Sequence, residues 1–177
     1  MSKSVKRLKY YEFLNYNLIY NNKAINRYKK ENFEISKDKV KDLTILKKAI
    51  IDLKNCDLRN QAKNIVFSDG NPKSKIMLIG EAPGANEDQE GLPFVGKAGM
   101  LLDKMLASID LDRKKVYISN IINYRPPENR RPTEEEIKRY LPFILKHIEI
   151  INPKITVLLG STAMNALIGN ETVISKM

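Results

Sequence analysis

The chain contains one cysteine, one histidine and no long apolar run. Because a disulfide needs two thiols, Cys56 cannot form one within the chain, which agrees with a reducing compartment. No stretch of about 18 apolar residues exists, and residues 1–17 lack the continuous apolar core of a signal peptide. These absences predict a cytoplasmic protein with no membrane partner.

Two common nucleotide-binding loops are also missing. The sequence has neither the G-x-G-x-x-G spacing of dinucleotide folds nor the G-K-[ST] ending of a Walker loop. The basic balance is marked, with 31 Lys and Arg against 21 Asp and Glu and a net charge of +10. Such a charge suits a nucleic-acid partner, and equally a ribosome-associated or simply lysine-rich protein.

Apolar runs at 75–79, 116–122 and 155–159 alternate with helical patterns. Strands that alternate with helices predict parallel pairing in a three-layer α/β/α sandwich with a short parallel sheet. Thr133 and Glu136 form a capping box that opens a long helix, and Ser161 is placed to cap the last helix. Residues 1–35 read as a helical accessory segment, and residues 36–177 as the main domain.

Two further helices have predicted inward faces. Ser36 can cap one whose apolar residues fall on one face, namely Val40, Leu43, Ile50 and Leu53. The other spans residues 98–109, with Leu101, Leu102, Met105, Leu106 and Ile109 inward.

The first strand stops abruptly at a Gly-Glu-Ala-Pro-Gly turn, and acidic residues follow it. In an open α/β sheet the carboxyl ends of the strands are where loops converge on ligands. Glycines there allow a ligand to approach backbone N–H groups. The turn therefore predicts a binding site at a strand end.

Residues 79–102, IGEAPGANEDQEGLPFVGKAGMLL, resemble the signature of family 4 uracil-DNA glycosylases. The turn, the acidic pair Glu87-Asp88 and the segment 91–96 occur in the family's order, and the likeness continues through 117–122, 125–130 and 153–160. It covers roughly residues 40–177. The resemblance implies the uracil-DNA glycosylase fold and hydrolysis of the bond between uracil and deoxyribose in DNA repair, with uracil-containing DNA as the partner.

The resemblance also implies a uracil pocket. Phe94 would stack on the flipped base, although an isolated phenylalanine is usually a core residue. Asn120 would read the edge of uracil, although it could instead be a turn residue bonded to its own backbone. The turn residues Gly80, Glu81, Ala82 and Pro83 would contact uracil. Useful donors there are the N–H groups of Glu81 and Ala82, since Pro83 has none.

Charged residues supply the remaining candidates. Glu87 and Asp88 are catalytic candidates that could hold the attacking water or stabilise the sugar cation. The alternative is a solvated acidic loop at a helix start. Arg125, Arg130 and Arg131 could clamp the phosphates beside a flipped nucleotide, or belong to a solvated loop.

The sequence departs from the family at its metal site. Family 4 proteins carry four cysteines that hold a four-iron four-sulfur cluster, whereas only Cys56 remains here, and Leu53, Tyr124 and Tyr140 occupy the other positions. One thiolate cannot retain such a cluster, so we expect no cofactor and no metal.

A second departure concerns histidine. The family's C-terminal strand and its His-Pro motif would follow residue 177, so the domain is expected to be truncated. His147, within a helix, is expected to be a partly exposed structural residue. We therefore expect impaired glycosylase activity. The alternatives are a catalytically inactive remnant that binds DNA or uracil without turnover, and an unrelated flavodoxin-like nucleotide-binding module. Residues 155–159 would be a bare sheet edge open to self-association or to a separate C-terminal fragment.

Overall fold

The computed structural model describes residues 38–169. The chain divides into two units between Glu34 and Ile35, and all described residues belong to the second unit. The accessory segment predicted at residues 1–35 and the capping residue Ser36 lie outside the described residues.

A sheet of four strands lies at the centre of the described domain. The strands are β1 (Asp69–Gly70), β2 (Ile76–Gly80), β3 (Tyr117–Asn120) and β4 (Ile155–Leu158), in the spatial order β1-β3-β2-β4. β2 pairs in parallel with both β3 and β4, which confirms the predicted parallel sheet. The two-residue strand β1 pairs antiparallel with β3, and the sequence pattern did not predict it.

Six helices surround this sheet in the described residues. They are α1 (Lys39–Ile51), α2 (Asp57–Gln61), α3 (Ala85–Glu90), α4 (Lys97–Ala107), α5 (Glu134–Ile151) and α6 (Ser161–Ile168), with a 3₁₀ turn at Pro127–Asn129. The capping box of α5 is present as predicted. Thr133 Oγ1 accepts from the N–H of Glu136 at 3.2 Å, and the Glu136 carboxylate accepts from the N–H of Thr133 at 2.7 Å.

Helices cover both faces of the sheet. Side chains alternate along a strand, so Leu78 and Ile118 share one face, where they pack with Leu102 and Leu106 of α4. Tyr117 points to the other face, where its hydroxyl meets His147 of α5 at 2.7 Å. Because both faces are buried, β2 and β3 are apolar runs rather than alternating ones. The arrangement is the predicted α/β sandwich.

The predicted inward face of α4 is partly wrong. Leu102 and Leu106 are buried, but Leu101, Met105 and Ile109 are each about 60% exposed. Apolar residues occur around most of this helix, so its sequence does not identify the stripe that packs on the sheet.

The helix starts also differ from prediction. Asp38 caps α1 by accepting from the N–H groups of Val40 and Lys41. Val40 itself is 62% exposed, and Leu53 lies beyond the end of the helix. Ser161 is the first residue of α6 rather than its cap, because Gly160 occupies the N-cap with a φ of 96°.

Among the strands that the structure describes, β4 lies at one end of the sheet, where an edge was predicted. Its side chains are exposed for most of its length, with Ile155 at 55% and Val157 at 38% exposure. Within residues 38–169, no helix is long and apolar enough to cross a membrane.

Candidate active site

The carboxyl ends of β2 and β3 bring three predicted site residues together. The register places Gly80 directly beside Asn120, as expected for neighbouring parallel strands. A Cβ built on Gly80 would lie 2.5 Å from Asn120 Oδ1 and 2.5 Å from Cζ of Phe94. The amide, the aromatic ring and the bare backbone therefore meet at one point, and a side chain at position 80 would push the other two away.

A cavity of about 400 Å³ opens beside this point. Its volume falls in the range of about 300–1,000 Å³ that is usual for small-ligand sites. The lining is mostly small or polar, and the residues are Ala82, Gly84, Ala85, Asn86, Glu87, Phe94, Gly96, Lys97, Ala98 and Asn120.

Asn120 contributes an amide without a protein partner. Its side chain is only 3% exposed, and it forms no hydrogen bond with any residue in the described part of the chain. In the same part, no fully buried side-chain nitrogen or oxygen lacks a partner. The Asn120 amide must therefore reach the open space of the cavity, where its NH₂ can donate and its carbonyl can accept.

The Gly-Glu-Ala-Pro-Gly turn offers backbone donors beside the amide. The carbonyls of Gly80 and Glu81 accept from Ile121 and Ile122, which extends the ladder past the strand ends. No described residue accepts from the N–H of Glu81 or of Ala82. Pro83, the residue after these two donors, is buried. Ala82 lines the cavity, whereas Glu81 is not among the lining residues, so the contact of these two N–H groups with uracil stays a prediction.

The side chain of Glu81 is held by a different element. Its Oε2 accepts from the Thr162 hydroxyl of α6 at 2.5 Å. This contact fixes the start of α6 to the turn and was not foreseen from the sequence.

Glu87 holds loops together rather than presenting a free carboxylate. Oε2 accepts from the N–H of Gly84 at 3.1 Å, and Oε1 accepts from those of Val95 and Gly96 at 3.0 and 2.8 Å. Both oxygens are thereby committed to backbone donors. Because Glu87 also lines the cavity, its role in holding a water molecule or stabilising a sugar cation stays a prediction.

The carboxylate of Asp88 also accepts hydrogen bonds from backbone N–H groups. It is 3% exposed, and its Oδ1 accepts from the N–H groups of Lys63 and Asn64 at 2.9 and 3.1 Å. Asp88 is therefore a buried tie between α3 and the chain that follows α2. It is not a solvated acid, and its contacts do not support a catalytic role.

The three arginines that were predicted to bind phosphate differ in whether other residues already bind their side chains. Arg130 forms a bidentate pair with Glu136 at 2.8 and 2.6 Å, and this contact lowers the pKa of Glu136. Arg125 donates to Asn129 Oδ1 at 2.8 Å. Arg131 is exposed, and its side chain has no partner among the described residues. Arg131 is thus the arginine most available to a phosphate.

Comparison with known proteins decides the family. Residues 67–176 match the family described as the uracil DNA glycosylase superfamily. That match spans more than half of the chain. This protein belongs to the uracil DNA glycosylase superfamily.

Three relatives of this superfamily member are type-4 uracil-DNA glycosylases. Those of Sulfurisphaera tokodaii, Archaeoglobus fulgidus and Thermotoga maritima are 48%, 46% and 44% identical over 65%, 64% and 67% of this chain. The aligned parts make up 53%, 57% and 62% of those proteins, so the chain spans little more than half the length of the relatives it matches.

Tyrosines surround the only cysteine of this superfamily member. The Cys56 sulfur lies 3.1 Å from the Tyr140 hydroxyl, and both residues are buried. Burial raises the pKa of Tyr124, and the nearby Cys56 raises it further. Within residues 38–169, no three His, Cys, Asp or Glu side chains are grouped to hold a metal ion. The residues at this position therefore do not fit a four-iron four-sulfur cluster, because one sulfur faces phenol groups.

His147 is fully buried, which corrects the expectation of a partly exposed residue. It is 1% exposed, stacks on Phe67 with ring centroids 4.6 Å apart, and contacts the Tyr117 hydroxyl. Removal from water lowers its pKa to about 3. It is a neutral core residue, and the residues lining the cavity do not include it.

Sequence reasoning missed Arg113. Its guanidinium donates to the carbonyl of Pro93 at 3.1 Å and to that of Phe94. Asp69 and Asp103 hold it at 2.9 and 2.8 Å. Burial opposes its charge, but these two carboxylates outweigh that cost and raise its pKa. The carbonyls are about 20 residues away in sequence, so no local pattern pointed to the contact.

Proposed function

We propose that this chain is a uracil-DNA glycosylase-type protein of base-excision repair. It would hydrolyse the N-glycosidic bond of a uracil that has been flipped out of DNA. The observation that carries this proposal is the Asn120 amide, which is buried, has no partner in the described residues and faces the cavity beside Phe94.

The edge of uracil matches this amide. The Asn120 NH₂ can donate to O4, and its carbonyl can accept from N3–H. Cytosine presents the opposite pattern and would leave both groups unpaired, at about 1–3 kcal/mol each. Stacking on Phe94 offsets part of the few kcal/mol that flipping costs.

The turn suits the chemical step. As the bond breaks, negative charge develops on the departing uracil while the sugar becomes cationic. The N–H groups of Glu81 and Ala82 are fixed dipoles that can meet charge on O2 without reorganisation.

We propose that turnover is slow. The only histidine in the sequence, His147, is locked between Phe67 and Tyr117 and cannot reach a departing base. The transition state would therefore lack a contact from an imidazole, and the loss of one such contact typically lowers the rate by a factor of about 10²–10³. The same observation favours a second candidate function, in which the protein binds uracil in DNA without turnover.

We also propose that the chain works without an iron-sulfur cluster and in the cytoplasm. The Cys56–Tyr140 contact at 3.1 Å supports the first, because a phenol occupies a position that a ligand thiolate would need. A single buried thiol is in keeping with a reducing compartment. DNA phosphates would contact Arg131 first, since Arg130 is paired with Glu136.

The exposed edge at β4 suggests a protein contact besides DNA. Ile155 and Val157 leave apolar surface on this strand, and among the described strands β4 pairs with β2 alone. We propose that the edge mediates self-association or pairing with a separate strand-forming fragment.

A gel assay separates the two candidate functions. A labelled duplex with a single uracil is mixed with excess protein and then treated with alkali, which cuts abasic sites. Slow cleavage that Asn120→Asp abolishes would establish excision. Specific binding without cleavage would establish the second candidate, and neither cleavage nor preference for uracil would refute the proposal. A heat-killed sample and a thymine duplex are the controls.

A further inference from the structure

Phe94 adopts a backbone conformation that phenylalanine rarely adopts. Its φ is 56°, in the left-handed region that normally favours glycine. Such a conformation persists only when its surroundings determine it, and it is frequent where a side chain must be aimed. The conformation brings the Phe94 ring against Gly80 and Asn120.

Two charged side chains hold the peptide groups on either side of Phe94. Arg113 donates to the carbonyls of Pro93 and Phe94. Glu87 accepts from the next two N–H groups, those of Val95 and Gly96. Every peptide group from 93 to 96 thus has a charged hydrogen-bond partner, which is stronger than a neutral one.

Each partner is itself anchored outside the loop. The second oxygen of Glu87 accepts from Gly84 N–H in the turn that ends β2. Arg113 is fixed by Asp69 of β1 and Asp103 of α4. Gly99 of α4 completes the enclosure, because a Cβ there would lie 1.7 Å from the Phe94 carbonyl oxygen.

We propose that Glu87 and Arg113 are positioning residues that fix the ring of Phe94 over Gly80 and Asn120. This inference deepens the proposed function and rests on it for its consequence in catalysis. Arg113 is not among the residues that line the cavity, and Glu87 lines it with carboxylate oxygens that accept from the backbone of the turn and of the Phe94 loop. Glu87 sets the distance between the turn and the Phe94 loop, and Arg113 fixes the rotation of the loop about Phe94.

Conservative substitutions remove these contacts selectively. In Glu87→Gln the amide NH₂ must face either Gly84 N–H or the pair at Val95 and Gly96, so one link is lost. In Arg113→Lys a single ammonium cannot replace a planar fork that meets two carbonyls and two carboxylates. Glu90→Gln on the same helix, and Arg139→Lys on α5, are matched controls that leave the loop untouched.

The first measurement does not need DNA. The full chain is labelled with 4-fluorophenylalanine at its five phenylalanines, and the Phe94 fluorine resonance is assigned with Phe94→Leu. We expect Glu87→Gln and Arg113→Lys to shift or broaden that resonance while Phe67 and Phe143 keep theirs. An unmoved Phe94 resonance in both variants would overturn the proposal, whether or not the protein excises uracil.

The second measurement is a double-mutant cycle on single-turnover excision. We expect each substitution to lower the rate about tenfold in the native background, with affinity for uracil-free DNA unchanged, but less than about twofold when Phe94→Ala is present. A merely structural role would lower the rate equally in both backgrounds and would overturn the proposal. If the native chain excises nothing, the proposed activity fails, and the same cycle on uracil-specific binding decides the positioning role.

Discussion

The buried imidazole of His147 should make the stability of this protein depend on pH. Its pKa falls from the ordinary 6.5 to about 3 on folding, because burial against Phe67 leaves the charged form without water. Between these two values the unfolded chain binds the proton and the folded chain does not. The contribution of the neutral His147 to the free energy of unfolding is therefore fully present above about pH 6.5, and it is lost as the pH decreases towards 3.

The expected size of the effect is large for a single residue. One pKa unit corresponds to about 1.4 kcal/mol, so lowering the pH from 7.5 to 4.5 should remove about 3 kcal/mol of unfolding free energy, most of it below pH 6.5. Small domains have only about 5–15 kcal/mol in total. The substitution His147→Gln keeps a group that can bond the Tyr117 hydroxyl but does not titrate in this range.

Urea unfolding followed by circular dichroism at pH 7.5, 6.5, 5.5 and 4.5 tests this expectation. Carboxylates contribute equally to both proteins, so the difference between native and His147→Gln isolates the imidazole. We expect the variant to be less stable at pH 7.5, because it loses the stacking on Phe67, and the gap to narrow by about 3 kcal/mol by pH 4.5. Parallel curves over the whole range would refute the account of a neutral buried histidine.

Four further outcomes are expected. Asn120→Asp should abolish detectable excision, Phe94→Ala should weaken it because about 1–3 kcal/mol of stacking is lost, and Cys56→Ser should leave the rate unchanged. Equal rates for the three variants in a single-uracil gel assay would contradict this. Protein purified anaerobically should contain no stoichiometric iron by plasma emission analysis, since one thiol faces the Tyr140 hydroxyl, and about four irons per chain would disprove it. Arg131→Ala should lower the salt slope of DNA binding by about one unit and Arg130→Ala by less, because Arg130 is paired with Glu136; anisotropy titrations showing no salt dependence would rule this out. Light scattering should detect association of the chain at tens of micromolar, and Val157→Lys on the exposed edge should reduce it, whereas a monomer unaffected by the change would show the edge to be inert.

Local rules predicted much of the fold. The Thr133–Glu136 capping box is a contact within four residues, and it is present as expected. The strand ends also carried enough information to place Asn120 beside Gly80, because parallel neighbours align their carboxyl ends. Contacts between residues close in sequence, and contacts between the ends of neighbouring strands, could therefore be predicted from the sequence.

Long-range partners were not accessible. Asp88 was a catalytic candidate from the sequence, with a solvated acid as the alternative, but its partners at Lys63 and Asn64 are about 25 residues away. Glu87 similarly meets Val95 and Gly96 across the end of α3. A carboxylate satisfied by backbone N–H groups has the same sequence pattern as a catalytic one, and only the fold separates them.

Burial of single side chains was also hard to predict. His147 lies on α5, where a partly exposed residue was expected, yet Phe67, just before the short strand β1, stacks on it. A two-residue strand has no periodicity to recognise. The same absence of a clear stripe led to three exposed residues, Leu101, Met105 and Ile109, being assigned to the inward face beside the correctly predicted Leu102 and Leu106.

The central claim is that the Asn120 pocket distinguishes uracil from cytosine by its hydrogen-bonding edge. The most direct test compares the affinity of the protein for two duplexes that differ at one position, with non-cleavable 2′-fluoroarabino-uridine or 2′-fluoroarabino-cytidine. We expect the uracil duplex to bind at least about tenfold more tightly, the equivalent of about 1.4 kcal/mol, and Asn120→Asp to lose this preference. Equal affinity of the native protein for the two duplexes would contradict the claim.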